Sequence, residues 1–331
     1  MKLSFPLPKG FVIGKPIKPE SYDESEIYAL EREGRLVITR KRDGYKLYAH
    51  IDKDGVHLYT AGMNSIDGRL GHIERDIIAL HMPAGTLLVG EGIMDLGGQD
   101  DFSSTVSVFK GSIEKSLQFQ KKNGKMKFMI FDVPAHEGRW SSLSYRDRLI
   151  FIKRHLCHTR KLRHLITPEV LTCSFDEAKQ LVIDRQWEGL VLYGFDFVNS
   201  YRLDGKYPPR PKGCYKWKPI IEDDFIVREW IPNPEDPDRL KELVLLQIDP
   251  VTNEEFRCAN LGTFSNAIRT RFRNATYPLV VQVAFESRFP KSGKLRNARF
   301  MRVRTDKPLH ECIAPQNYAE REVTTAFKHA A

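Results

Sequence analysis

The sequence predicts an α+β protein in which a mixed domain with antiparallel sheets is followed by a small all-β barrel. In the first two-thirds of the chain, apolar strand-like segments do not alternate regularly with helices, which argues against a parallel sheet. An acidic, proline-rich segment at 222–237 then changes the composition. Beyond it, short apolar segments separated by turn residues are typical of an antiparallel barrel of ~80–100 residues. We therefore predict a first domain over 1–219, a barrel over 220–312 and a C-terminal tail over 313–331.

The individual elements follow from local patterning. Apolar residues spaced at i, i+3 and i+4 predict helices, alternation or short apolar runs predict strands, and the turn Asp-Lys-Asp-Gly at 52–55 predicts a hairpin. The predicted helices cover 25–31, 73–80, 103–122, 144–156 and 175–186. The predicted strands cover 36–39, 45–51, 56–60, 86–93, 127–133, 189–193, 215–219, 242–248, 255–261, 279–287 and 299–303. The first 20 residues show no periodicity.

Composition favours a soluble intracellular protein. The longest strongly apolar run, 278–285, is about eight residues, far below the ~20 that a bilayer-spanning helix needs. The N-terminus carries prolines where a signal peptide needs an apolar core. The five cysteines form no CxxC pair and no zinc spacing, so we expect reduced thiols in the cytoplasm.

Charge is unevenly distributed along the 331 residues, whose formal net charge is +9. Residues 221–255 hold 11 acidic and 3 basic side chains, whereas 265–307 hold 11 basic and 2 acidic ones. A charge run of this kind is compatible with a solvated face. Basic residues interleaved with aromatic ones also suit a phosphate backbone, so the composition leans towards nucleic acid as the partner.

The most distinctive motif is Lys41-Arg42-Asp43-Gly44, which lies between two predicted strands. A lysine becomes a nucleophile only when its pKa falls from ~10.4, through burial or nearby cations. Arg40, Arg42 and Lys46 could supply such cations, and Asp43 could orient the amine or a metal. Alone, the four-residue pattern is more typical of a charged hairpin turn. The order of the elements that follow decides between the two interpretations.

Four further groups lie at the edges of apolar strands: Glu91, Phe131, Glu188, and the pair Lys216 and Lys218. Separated carboxylates can hold Mg²⁺ through oxygen ligands. Two lysines at i and i+2 can neutralise a triphosphate, and an aromatic ring can stack on a purine. Each group alone has a plainer interpretation as a strand end, a core aromatic or a solvated strand face.

Together and in this order, the motifs resemble the covalent nucleotidyltransferases, and most closely the minimal ATP-dependent DNA ligases of bacteriophages, viruses and some bacteria. KRDG is similar to the adenylated-lysine motif of that family, and NLGTFSN at 260–266 is similar to its barrel segment. The other matching segments are VGEG at 89–92, FMIFDV at 128–133, WEGLV at 187–191, KWK at 216–218 and LRNARFMRVRTDK at 295–307.

The resemblance implies a nucleotidyltransferase domain with ATP-grasp-like antiparallel sheets and helices, followed by an OB-fold. It implies that ATP donates AMP to the protein, with Mg²⁺ or Mn²⁺, and that a monomer seals nicked double-stranded DNA. Lys41 would be the catalytic nucleophile, and Asp306 and Lys307 would belong to the closing motif. ATP would be bound by Thr39, Arg42, Lys46, Glu91, Phe131, Lys216, Lys218, Arg302 and Arg304. The metal would be held by Asp43, Glu91 and Glu188.

Three departures from the family pattern concern the nucleotide. Thr39 stands where the family has a glutamate, and Lys46 stands where it has an arginine. The segment YTAGMNS at 59–65 replaces a Ser-Arg-x-Gly segment, with Arg69 as the nearby arginine that could compensate. Two groups of alternatives therefore stay open. One is an mRNA-capping guanylyltransferase, which would take GTP, or an RNA ligase of the same superfamily. The other is a nucleic-acid-binding relative without catalysis.

Overall fold

The computed structural model describes residues 11–18, 21–66, 68–157, 162–289 and 291–323. The chain divides into two compact units, Met1–Lys218 and Pro219–Ala331. The prediction of a mixed α/β protein with antiparallel sheets is confirmed. Within the described ranges, no helix is long and apolar enough to span a membrane.

The first unit contains short and long strands together with helices of 8 to 13 residues. Its strands are β1 (Val12–Ile13), β2 (Leu36–Lys41), β3 (Tyr45–Ile51), β4 (Val56–Thr60), β5 (Thr86–Ile93), β6 (Asp95–Leu96), β7 (Gln99–Asp100), β8 (Lys127–His136), β9 (Arg139–Trp140), β10 (Leu165–Ile166), β11 (Val170–Leu171), β12 (Gly189–Gly194), β13 (Tyr201–Arg202) and β14 (Cys214–Trp217). Its helices are α1 (Glu24–Arg32), α2 (Gly71–Ile78), α3 (Phe102–Phe109), α4 (Ile113–Asn123), α5 (Tyr145–Cys157) and α6 (Phe175–Asp184).

Two sheets organise this unit. The larger has the order β10-β8-β5-β3-β4, with β9 added to β8, and the smaller has the order β11-β2-β12-β14. All neighbours in both sheets are antiparallel except β10 and β8. β2 of the smaller sheet and β3 of the larger are joined by the three-residue turn 42–44. The predicted nucleophile motif therefore connects the two sheets.

Alternation within β3 separates a core face from a site face in the larger sheet. Leu47 packs in the main core, which also contains Ile73 of α2, Val108 of α3 and Ile152 of α5. Tyr48 points the other way, into a smaller cluster with Phe11. The N-terminal segment, without periodicity in the sequence, thus supplies fully buried side chains to the second face. The smaller sheet packs separately against α1 and α6.

The predicted helix over 103–122 is divided into α3 and α4. Gly111 between them has a φ of +72°, which a helix does not accommodate. The Ser112 side chain then accepts a hydrogen bond from the Lys115 backbone N–H and caps α4. The sequence contains this Gly-Ser signal, so the division follows from local chemistry.

The second unit is built on a seven-stranded sheet with the order β22-β19-β15-β17-β18-β23, in which β16 also pairs with β17. Every ladder in it is antiparallel. Its elements are β15 (Ile221–Val227), β16 (Trp230–Asn233), β17 (Asp236–Ile248), β18 (Glu255–Leu261), α7 (Asn266–Arg273), β19 (Leu279–Phe285), β20 (Ser287–Arg288), β21 (Leu295–Arg296), β22 (Arg299–Arg304), a 3-10 turn (Leu309–Glu311) and β23 (Glu322–Val323).

Two features of the second unit depart from the patterning. Helix α7 lies in a segment without a predicted element; it begins at the Ser265 cap and buries Phe272 in the core. Residues 313–323, predicted as a separate tail, pack against the same core. Ala314 and Tyr318 are buried there, and β23 pairs with β18.

Candidate functional site

Lys41 is held at the point where β2 ends and the chain turns towards β3. It lies opposite Gly189 in the ladder between β2 and β12. Gly44 approaches β5 so closely that an added Cβ would lie 2.5 Å from the Gly92 carbonyl oxygen and 2.6 Å from Glu91 Cγ. Only glycine fits this approach, which explains the last position of the motif. The turn thereby brings Lys41 and Glu91 into one region.

Glu188 lies between two lysine ammonium groups. Its Oε2 is 2.5 Å from Lys41 Nζ, and its Oε1 is 2.9 Å from Lys218 Nζ. Gly189, with a φ of +152°, lets the chain pass Trp217, since an added Cβ would lie 2.2 Å from the Trp217 carbonyl oxygen. These three charged groups, predicted from separate motifs, are therefore in direct contact.

The pKa of Lys41 is shifted in the direction opposite to the one that the sequence analysis expects for a nucleophilic lysine. Burial disfavours the ammonium form, but Glu188, followed by Glu91 and Asp43, raises the pKa of Lys41 above its ordinary value. The same ammonium groups hold the pKa of Glu188 below its usual range, although burial opposes this. Lys41 is thus a protonated, oriented amine, and the pair stays ionised at neutral pH.

Lys46 and Glu91 face each other across the β3–β5 ladder. Burial raises the pKa of Glu91 to about 7, with Lys41 opposing the shift and Glu188 adding to it. Burial lowers the pKa of Lys46 to about 8, against the attraction of Glu91. Two groups whose pKa values are shifted towards neutral pH therefore lie near Lys41, as is common at reactive sites.

A divalent metal site is not preassembled in the described part of the chain. No group of three His, Cys, Asp or Glu side chains is arranged there to hold an ion. Asp43, Glu91 and Glu188 offer the oxygen type that Mg²⁺ prefers. However, Lys41 and Lys218 already contact both carboxylate oxygens of Glu188. The three carboxylates therefore do not form a ready cation site in this arrangement.

A pocket of about 900 Å³, partly open to solvent, lies on the site face. Its exposed walls are largely apolar and include Phe131, and its lining also contains the charged residues Lys41, Lys46 and Glu91. The lining residues are Ile13, Gly14, Lys15, Pro16, Thr39, Arg40, Lys41, Arg42, Lys46, Glu91, Met129, Phe131, Asp132, Pro168, Val191, Tyr193, Asn199 and Cys214. An apolar cavity with a few convergent polar groups is typical of a small-molecule site.

The structure places several predicted ATP-binding residues in internal contacts. The Thr39 hydroxyl donates to the Val191 carbonyl at 2.9 Å. Arg42 lines the pocket but pairs with Asp95 and Asp100. Lys216 lies opposite Val191 in the β12–β14 ladder, and Lys218 contacts Glu188; both residues lie outside the pocket lining.

Arg69 does not compensate for the missing arginine of the 59–65 segment. Its guanidinium donates to the carbonyls of Gly111 and Ser112, at 2.7 and 3.3 Å, and it is not part of the pocket lining. The cation that patterning missed is Lys15, which lines the pocket and lies 3.5 Å from the Tyr207 ring centroid. Its segment is placed by long-range pairing of β1 with β13, for which the local sequence holds no signal.

The predicted closing residues lie on and after β22 of the second unit. Arg302 and Arg304 flank Val303, which packs against the core, so both arginines lie on the outer face. Arg304 donates to Asp224 at 3.0 Å and to Asp306 at 2.8 Å, and Lys307 lies 3.4 Å from Asp224. Asp306 has its pKa lowered to about 2 by Arg304. Arg302 donates to Gln282 at 2.7 Å.

Comparison with solved structures shows which known proteins share this fold. No protein-family model matches the chain. A solved structure named "Pmar-Lig_Pre." is similar with a TM-score of 0.65 at 20% identity, over 89% of this chain and 68% of that one. A structure from a study of "Lig E DNA ligases" is similar with a TM-score of 0.59 at 22% identity, over 82% of this chain and 93% of that one. The chain has the fold of DNA ligases, which confirms the resemblance drawn from the motifs.

Proposed function

We propose that the protein is an ATP-dependent DNA ligase that seals nicks carrying a 5′-phosphate and a 3′-hydroxyl through an AMP-lysine intermediate. The observation that carries this proposal is the position of Lys41. Its ammonium contacts Glu188 and lines an apolar pocket together with Glu91, Lys46 and Phe131. The fold shared with DNA ligases supports the same activity.

In the proposed first step, ATP occupies the pocket with its adenine against Phe131 and its phosphates near Lys41 and Lys46. Lys41 Nζ loses a proton to solvent and attacks the α-phosphorus. The N–P bond forms as the P–O bond to pyrophosphate breaks, and the nitrogen then loses a second proton to solvent to give a neutral phosphoramidate nitrogen. Glu188 holds the attacking nitrogen in place through its contact with Lys41 Nζ, and Lys218 holds the other oxygen of the Glu188 carboxylate.

In the following steps, the 5′-phosphate of the nick attacks the AMP phosphorus and releases Lys41. The 3′-hydroxyl then attacks the activated 5′-phosphate and expels AMP, which forms the phosphodiester bond. Binding of a divalent metal by Asp43, Glu91 and Glu188 remains a prediction.

The remaining assignments rest on the same proposal. We infer that nicked double-stranded DNA is the partner, and that the second unit is an OB-fold domain gripping it. The net charge of +9 over residues 265–307 suits a largely sequence-independent, salt-sensitive phosphate interface. We also infer a monomer that acts in the cytoplasm.

The test is incubation of the protein with α-labelled ATP or GTP, followed by sealing assays on nicked DNA and nicked RNA. We expect labelling with ATP alone and sealing of nicked DNA. Labelling with GTP alone would instead indicate a capping guanylyltransferase. An absence of labelling under conditions where the protein binds nicked DNA would indicate a non-catalytic binder.

A further inference from the structure

A two-stranded ribbon, Asp95–Asp100, lies against the turn that carries Lys41. It consists of β6 and β7 joined by Gly97 and Gly98, both of which have positive φ. In its ladder Asp95 and Asp100 are directly opposite each other. Like charges at such positions repel, so this pairing needs a compensating cation.

Arg42 supplies that cation. Its Nη2 lies 2.6 Å from Asp100 Oδ1 and 3.2 Å from Asp95 Oδ2, and its Nε donates to Asp100 at 2.7 Å. The Arg42 side chain is 9% exposed, and the Asp100 side chain is 8% exposed. Breaking a buried pair of this kind is costly, because the remaining charge loses its partner.

Asp100 also contacts the main chain of the nucleophile turn. Its second oxygen accepts the Asp43 backbone N–H at 2.9 Å and lies 3.6 Å from Arg40 Nη2. Asp100 therefore contacts the residues on both sides of Lys41. These contacts add to the β2–β12 ladder, in which Lys41 lies opposite Gly189.

The ribbon touches the chain that leads to Glu188 as well. Gln99 Nε2 donates to the Arg185 carbonyl at 3.3 Å, and the Arg40 guanidinium stacks 4.4 Å from the Trp187 ring centroid. Lys41 Nζ and Glu188 Oε2 are 2.5 Å apart. The ribbon thus contacts the chain next to both of these residues.

We propose that the ribbon is a positioning element for the lysine nucleophile, in which Asp100 acts through Arg42 and the Asp43 main chain. This inference rests on the proposed function. In this assignment Arg42 pairs with Asp95 and Asp100 and does not bind the nucleotide, which differs from the role that the sequence analysis predicts for it. Loss of Asp100 removes the contacts that hold the chain on both sides of Lys41, and it thereby displaces Lys41 Nζ from its line of attack.

The test separates the rate of the chemical step from nucleotide affinity. Single-turnover labelling with α-labelled ATP is measured at a series of ATP concentrations for wild type, Asp100→Ala and Asp100→Asn. We expect Asp100→Ala to lower the maximal labelling rate by about 10- to 100-fold with an unchanged half-saturating ATP concentration, since small misplacements of a reacting atom cost this much. Asp100→Asn keeps an acceptor for the Asp43 N–H and should recover part of the rate.

Sealing of a nick that already carries a 5′-AMP is the folding control, because that step does not use the free Lys41 amine. It should stay within about threefold of wild type in both variants, as should every activity of Asp54→Ala, an exposed turn aspartate. Equal losses in labelling and in sealing of the adenylated nick would show that Asp100 serves only stability, and would overturn the assignment.

Two other results would also contradict it. A rise in the half-saturating ATP concentration with an unchanged maximal rate would place the Arg42 and Asp100 pair in nucleotide binding. Normal labelling of Asp100→Ala would remove any role for the ribbon. Absence of labelling in the wild-type protein would instead overturn the proposed function itself, and the assignment with it.

Discussion

Replacing Glu91 with glutamine should stabilise the first unit at alkaline pH while impairing its chemistry. Burial raises the pKa of this carboxyl from its usual 4.5 to about 7. At a pH between these two pKa values, the carboxyl is protonated in the folded protein but ionised in the unfolded chain. Stability must therefore fall as the pH rises through that window. A glutamine carries no charge and removes this contribution.

The magnitude follows from the two pKa values. At about 1.4 kcal/mol per pH unit, the raised pKa of Glu91 destabilises the folded protein by about 1 kcal/mol at pH 5, relative to a carboxyl of ordinary pKa. At pH 8 the same destabilisation is about 3 kcal/mol. The difference in the free energy of unfolding between Glu91→Gln and wild type should therefore be about 2 kcal/mol more favourable to the variant at pH 8 than at pH 5. The glutamine amide can also lower stability if it lacks hydrogen-bond partners, but this effect is the same at pH 5 and pH 8 and cancels when the two pH values are compared.

Urea denaturation followed by tryptophan fluorescence measures this quantity, because Trp140, Trp187 and Trp217 lie in the first unit and only Trp230 in the second. Glu114→Gln, at an exposed position on α4, is the matched control and should show no such pH dependence. In parallel, Glu91→Gln should label more slowly with ATP than wild type. A stability difference that is the same at pH 5 and pH 8 would refute the reasoning, since Glu91 would then titrate as an ordinary carboxyl.

Three further predictions concern the lysines and their shared carboxylate. Lys41→Ala should abolish labelling by ATP yet retain sealing of a nick that already carries 5′-AMP; wild-type labelling would rule out Lys41 as the nucleophile. Glu188→Ala should lower sealing by at least ~10²-fold, because Lys41 Nζ loses the contact that orients it and a misplaced reacting atom costs about this much; normal sealing would reduce Glu188 to a strand-end carboxylate. Lys46 loses its charge as the pH rises through its pKa of about 8, so the half-saturating ATP concentration should increase above that pH in wild type. Lys46→Arg keeps its charge and should remove this increase; identical pH profiles would show that Lys46 does not contact the nucleotide.

The local part of the site was predictable because its residues are fixed by short-range chemistry. The KRDG turn needs Gly44 for its approach to β5, and WEGLV needs Gly189 beside Trp217; both requirements appear in the sequence as glycine at a fixed position. Alternation predicted β3, which carries Lys46, and an apolar run predicted β5, which carries Glu91. Alternation also predicted the first four residues of β2, which extends to Lys41 in the structure. Residues placed by distant pairing were missed, and Lys15 is the clearest case.

Charge roles were the least predictable feature, because they depend on partners that are far apart in sequence. Arg40 and Arg42 were expected to lower the pKa of Lys41, but Asp100 pairs with both of them from 60 and 58 residues away. Glu188, from 147 residues away, contacts Lys41 directly and raises its pKa instead. A motif therefore predicts which residue reacts, whereas its protonation is decided by groups that only the fold brings together. For this lysine the consequence is that a proton must leave before attack. We therefore expect the rate of the proposed first step to depend on the Glu188 and Glu91 carboxylates, which favour the protonated form of Lys41.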